Sequence, residues 1–182
     1  DRVLEWVTDH LSITFVAVTI AVIIGVAIGI YICGRGREHI ADSVLYLSEI
    51  MMTVPSLALF GLLILLLSAI GIKSWGVLPA TIALVLYGLL PILRNTYTAI
   101  KSVDPAMVEA GRGMGMTETE IILKVELPLA APVIMAGVRN SAILLIGIAT
   151  IAAFIGSGGL GVPIFRGLTN MRPDLILIGG IL

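Results

Sequence analysis

The sequence predicts an all-α integral membrane protein, and three observations carry that expectation. Of its 182 residues, 58% are hydrophobic and only 13% are charged, against roughly 45–50% and about 25% in an ordinary soluble domain. Mean hydropathy is +1.11, more apolar surface than a water-soluble fold of this length can bury. Four long stretches carry no charge at all: Leu11 to Gly34, Ile50 to Ile72, Ser74 to Leu93 and Asn140 to Phe165. Each reaches the ~20 residues that cross ~30 Å of hydrocarbon at ~1.5 Å per residue. Helices are the expected form, because lipid offers no partner to an unpaired backbone N–H or C=O. The alternating segments of about ten residues that mark a membrane barrel are missing from the pattern.

In chain order, the spans are expected at about 11–34, 50–72, 74–93 and 132–156, within one transmembrane domain covering 1–182. A last apolar run, about 174–182, would cover only ~12 Å at helical rise, so a fifth helix is expected to be incomplete. Lysine and arginine set the orientation. Arg35 and Arg37 follow the first span, and Arg94, Lys101, Arg112 and Lys124 lie between the third and fourth. The other side holds Arg2, Lys73, Arg166 and Arg172. The bias places the N-terminus outside and the segment 94–131 inside, with Trp75 at the outer interface belt. A net charge of −1 and the lack of any basic run give no surface for nucleic acid. The single cysteine, Cys33, forms no intrachain disulfide. The opening "DRVLEWVTDHLS" lacks the basic-then-apolar order of a signal peptide.

The interruption "EAGRGMGMTETEIILKVELPLAAP", Glu109 to Pro132, is punctuated like a small folded unit. Asp104 followed by Pro105 reads as N-cap and first helical residue. A helix from about Pro105 to Met114 then stops at Gly115, a natural residue just past a helix end. Thr117-x-x-Glu120 is a capping box, Glu118 and Glu120 suit the positive end of the new helix, and Glu120 pairs with Lys124. Pro128 ends that helix or opens the next span. The expected unit is a stiff helix–turn–helix on the inner face. Its glycines lack the Gly-Lys-Ser/Thr sequence of a phosphate loop, so no nucleotide is expected on this chain.

Glu109-Ala110-Gly111, then Gly115, then Val125-x-Leu127-Pro128 resembles the EAA loop of ABC-importer permeases. That family's pattern is E-A-A, three residues, G, nine residues, I-x-L-P. Gly111 stands for the second alanine and Val125 for the isoleucine. "LPILRNTYTAIKSVDPAMVEAGRGMGMT" and "FIGSGGLG" are similar to permeases that import glycine betaine, choline or carnitine. The resemblance implies the type I ABC importer transmembrane core, with about five helices per subunit, in a prokaryotic inner membrane. It also implies a second permease chain, identical or homologous, and two cytoplasmic ATPase subunits that hold ATP and magnesium. An external substrate-binding protein or fused domain completes the set, and this chain is not an enzyme and carries no cofactor or metal of its own. The coupling residues it implies are Glu109 as a fixed anchor, Ala110 and Gly111 as small contact positions, and Met114, Gly115, Met116 and Thr117 around the turn.

Pore candidates are Pro55, Ser56, Tyr87, Arg139 and Asn140. Each has a plain structural alternative. Pro55 is a common kind of membrane-helix proline or bends a pore-lining helix. Arg139 snorkels to the inner interface or faces water. Ser56, Asn140 and Ser141 hydrogen-bond between helices or line an aqueous path. "GSGGLG", Gly156 to Gly161, is an exposed loop for a delivery protein or a tight re-entrant turn. His10 and His39 read as flank residues. The scattered aromatics form no cage for a quaternary amine, so the substrate follows from the resemblance alone, and an ergothioneine-like betaine or an amino acid is the alternative. An ATP-independent carrier would need ionisable groups within the spans, where only Arg139 occurs. A scaffold that merely binds a partner at the interruption is the third reading.

Overall fold

A computed structural model describes residues 2–34 and 36–182 of the chain, so Arg35, used above for orientation, lies outside the described residues. Nine α-helices follow one another, and no strand occurs among the described residues. They are α1 (Arg2–Ile32), α2 (Glu38–Thr53), α3 (Ser56–Ala69), α4 (Val77–Lys101), α5 (Pro105–Gly113), α6 (Glu118–Ile121), α7 (Leu127–Ala152), α8 (Gly161–Thr169) and α9 (Pro173–Ile181). A π-helical turn, Ile122–Glu126, joins α6 to α7 without a break, and a 3₁₀ turn, Ala153–Ile155, closes α7.

Three helical rods are long and apolar enough to cross a membrane: Arg2–Ile32, Val77–Lys101 and Glu118–Ile155. The stretch expected as a second span is not one helix. α2 and α3 meet at an angle of 104°, with Pro55 at the corner in extended backbone (φ −59°, ψ 134°). Proline cannot donate the hydrogen bond that would carry a helix through this point, so the corner is a full break rather than a mild kink. The pair is a broken span or a re-entrant loop, which makes up to four spans among the described residues.

The other boundaries shift for a related reason: absence of charge marks the lipid-facing part of a helix, not its ends. α1 begins nine residues before Leu11, taking in Arg2, Glu5 and Asp9. α4 runs on to Lys101 and so includes Arg94. The rod that was expected to begin near Pro132 begins at Glu118 and spans 38 residues, or ~57 Å at helical rise. That exceeds ~30 Å of hydrocarbon, so its first turns stand clear of the lipid. Pro128 stands in the first turn of α7, where the rod runs on from the π turn without a break, and Arg139 lies much deeper in that rod than two turns.

α4 is the centre of the bundle, clasped between α1 and α7. Lipid gives helices little hydrophobic reason to associate, so close van der Waals contact at small residues must hold them. A Cβ on Gly29 of α1 would fall 2.6 Å from Thr96, and one on Gly137 of α7 would fall 2.8 Å from the Pro91 carbonyl. The buried core beside these contacts is built from Ala17, Phe60, Ala80, Ala83, Leu84, Leu145 and Ala149. Ser141 donates to the Gly88 carbonyl at 3.1 Å and Asn95 Nδ2 to the Pro91 carbonyl at 2.7 Å, so these polar groups are satisfied within the bundle.

Candidate functional site

The hairpin Asp104–Glu126 is assembled by local rules that each residue obeys. Asp104 caps α5, its Oδ1 accepting from the Ala106 N–H at 2.9 Å, with Pro105 at the first helical position. α5 ends in a Schellman arrangement: the Gly115 N–H donates to the Arg112 carbonyl at 2.9 Å and the Met116 N–H to the Gly111 carbonyl at 3.1 Å. Gly115 has φ +79°, the left-handed region that glycine enters without a steric penalty. No atom lies within 4 Å of the Cβ it lacks, so its role is backbone conformation and not space.

The capping box on α6 is complete. Glu120 N–H donates to Thr117 Oγ1 at 3.3 Å, and the Thr117 N–H donates to Glu120 Oε2 at 3.1 Å. Lys124 reaches the same carboxylate at 2.7 Å. One bond across the hairpin was not foreseen. Arg112 holds Glu118 with both Nε (3.1 Å) and Nη2 (3.3 Å), tying the end of α5 to the start of α6. Such a fork fixes orientation as well as distance. The opposite charges at 112 and 118 were visible, but only the tight turn at Gly115 brings them together.

The implied coupling residues do not all face one way. Glu109, Ala110, Met114, Gly115 and Thr117 are exposed, with Met114 at 71% exposure. Met116 is half-buried, and Gly111 is buried against its own hairpin. A Cβ at 111 would sit 3.3 Å from Ile121 and 3.4 Å from the Met116 sulfur. Gly111 therefore lets α5 approach α6. Behind the hairpin, toward the ends of α1 and α4, lies a cavity of about 190 Å³ lined in part by Lys101, Arg112, Cys33 and Glu126. Among the described residues, no three His, Cys, Asp or Glu side chains gather as a metal would require.

The pore candidates separate into two places. Pro55, exposed, and Ser56, half-buried, stand at the α2–α3 corner. The buried Tyr87 hydroxyl donates to the Val54 carbonyl there, pinning the corner to α4. Arg139 and Asn140 are exposed on α7, and no hydrogen bond or ion pair to Arg139 occurs among the described residues. A second tie on the broken span went unforeseen: Arg94 of α4 pairs with Glu49 of α2, 45 residues apart, a separation no local pattern reports. "GSGGLG" proves to be tucked in, with Ser157, Gly159, Leu160 and Gly161 buried. It covers His10, which is 2% exposed and not a flank residue.

Residues 21–182 match the family model described as binding-protein-dependent transport system inner membrane component. The chain belongs to this family. Among its relatives, the choline transport system permease protein OpuBB of Bacillus subtilis is 44% identical over 173 residues, covering 95% of this chain and 76% of that protein. The osmoprotectant import permease protein OsmW of Salmonella typhimurium is 44% identical over 174 residues, covering 96% and 80%. In three dimensions the chain is similar to a subunit of the MetNI methionine ABC transporter in an inward-facing conformation, with a TM-score of 0.80 and 25% identity over 99% of this chain and 88% of that one. The chain is thus an inner membrane transport component with the fold of type I importer permeases.

Proposed function

We propose that this chain is the permease subunit of an ATP-driven importer for quaternary-amine osmoprotectants such as choline, carnitine and glycine betaine. Two such chains, identical or homologous, form the path across the membrane, with the N-terminus outside. The hairpin is the handle on the inner face, gripped by ATPase subunits that supply ATP and magnesium. Substrate arrives from a binding protein outside, and selection rests with that protein. One observation carries the coupling role: a doubly capped, cross-braced hairpin presents Glu109, Ala110 and Met114 to solvent on a chain otherwise made for lipid. Braced helices transmit displacement where a loose loop would absorb it. Closure of the ATPases then biases a two-state pore through its differential grip on the hairpin. The names of the relatives support the substrate class.

Purification from membranes with the neighbouring subunits tests this reading. The ATPase should accompany the permease, and uptake of labelled choline, carnitine or glycine betaine should require that ATPase to be active. Uptake that persists with an inactive ATPase contradicts the reading, and so does a permease that brings down no ATPase.

A further inference from the structure

The hairpin is attached to the membrane bundle by two stalks of unlike construction. On the α4 side the connection carries on the helical bonding of α4. Ser102 N–H donates to the Thr98 carbonyl at 3.0 Å, Val103 N–H to the Ile100 carbonyl at 3.2 Å, and Asp104 caps the next helix. On the α7 side the connection is a π turn, Ile122–Glu126, in which the Leu127 N–H reaches back five residues to the Ile122 carbonyl. A π turn holds one more residue than the α-helix it interrupts and is often found where a helix has to yield. Pro128 and Pro132 follow at once. Neither brings an N–H, so the α-helical bonds to the Lys124 and Pro128 carbonyls are missing. Kinks in long helices concentrate at such places.

A space lies beside the weakened stretch. The cavity of about 190 Å³ described above is lined by Ile122 and Glu126 of the π turn, facing Ile30, Cys33, Lys101 and Arg112. From Leu127 on the rod regains its grip, with Leu127 and Ala130 packed in one cluster with Ala99 and Ile100 of α4 and Ile134, Gly137 and Ser141 buried. A braced unit, a turn interrupted in its α-helical hydrogen bonding beside a cavity, and a packed helix thus follow in sequence.

We infer that the π turn Ile122–Glu126 is a hinge: the hairpin tilts as one body on α7 about this turn, while α7 stays packed on α4. The inference rests on the coupling role proposed above. It refines that role by dividing the 38-residue rod into a handle and a mast.

The test uses the assembled importer, with spin labels at Met114→Cys on the hairpin and Ile143→Cys on α7 in a Cys33→Ser background. Both labelled positions are exposed, at 71% and 64%. The separation should shift by more than about 2 Å, the scale of ordinary helix displacements, between the nucleotide-free and ATP-bound states. Removing Leu123, which is 58% exposed, should convert the π turn to α-helix while keeping the register on either side. In that variant the shift should vanish and uptake be lost, while the ATPase still co-purifies. An unchanged separation in the parent protein overturns the hinge, and so does parental uptake without Leu123. Should the shortened chain fail to assemble, the parent measurement alone decides. A parent chain that captures no ATPase sinks the coupling reading and the hinge with it, whereas a captured ATPase with a fixed separation sinks the hinge alone.

Discussion

The hairpin and the α1–α4–α7 centre are helical throughout, yet almost nothing that holds one holds the other. In the hairpin, stability comes from ends: an Asp104 cap, a Schellman turn at Gly115, a Thr117–Glu120 box and the Arg112–Glu118 fork. At the centre it comes from sides, with Gly29 against Thr96, Gly137 against Pro91 and Ser141 on the Gly88 carbonyl. The solvent accounts for the difference. A short helix in water loses its terminal hydrogen bonds to competition and must satisfy them with side chains. A helix in lipid keeps its backbone bonds without help and needs instead a close fit to its neighbours. One sequence written for two solvents carries two sets of rules.

Substitutions that should do harm on one side only sharpen this contrast. The largest effect is expected at Gly137. Any Cβ there meets Asn95 at 2.7 Å and the Pro91 carbonyl at 2.8 Å, so Gly137→Leu should wedge α7 off α4. Overpacking of this kind costs about 1–3 kcal/mol, read as loss of folded protein from detergent extracts during thermal challenge. Next is Gly115→Val, where space is free but φ is +79°. The strain is about 1–3 kcal/mol confined to the turn, so transport should fall while the thermal stability of the bundle is kept. Gly115→Asn should be milder, since asparagine tolerates that conformation. A bundle that melts early in Gly115→Val breaks the proposed independence of the two regions.

Thr117→Ala removes the cap acceptor and should cost about 1 kcal/mol of local helix stability, seen as faster amide exchange at Glu118–Ile121. The smallest effect belongs to Arg112→Gln. Its pair with Glu118 is 35% and 61% exposed, and such surface pairs contribute about 0–1 kcal/mol. Amide exchange should rise slightly on both arms of the hairpin and, unlike the other three changes, the defect should fade in high salt.

What was legible in the sequence follows the same division. The hairpin could be read almost residue by residue, because capping is a local code: Asp104-Pro105, Gly115 and Thr117-x-x-Glu120 all stand where expected. Absence of charge located the apolar rods but not their ends, since Arg2 and Glu5 sit in the first turn of α1 and Arg94 lies within α4, about two turns before its end. Pro55 was noticed, yet a proline alone does not say whether a helix bends slightly or turns by 104°. Tyr87 on the Val54 carbonyl and Glu49 with Arg94 pin that corner, and both bonds join residues far apart in the chain. The π turn left no trace in the pattern, because one extra residue in an amphipathic helix looks like ordinary drift. His10 was misplaced for a similar reason: only the return of Gly159 over α1 buries it.

The most direct test of the coupling role places a photo-reactive residue at Met114, 71% exposed at the hairpin tip, and for comparison at Phe15, 72% exposed on α1. Both proteins would be irradiated in membranes that are actively transporting. The account predicts an ATPase adduct from position 114 and none from position 15. Transport-competent membranes that yield no ATPase adduct from position 114 would contradict it.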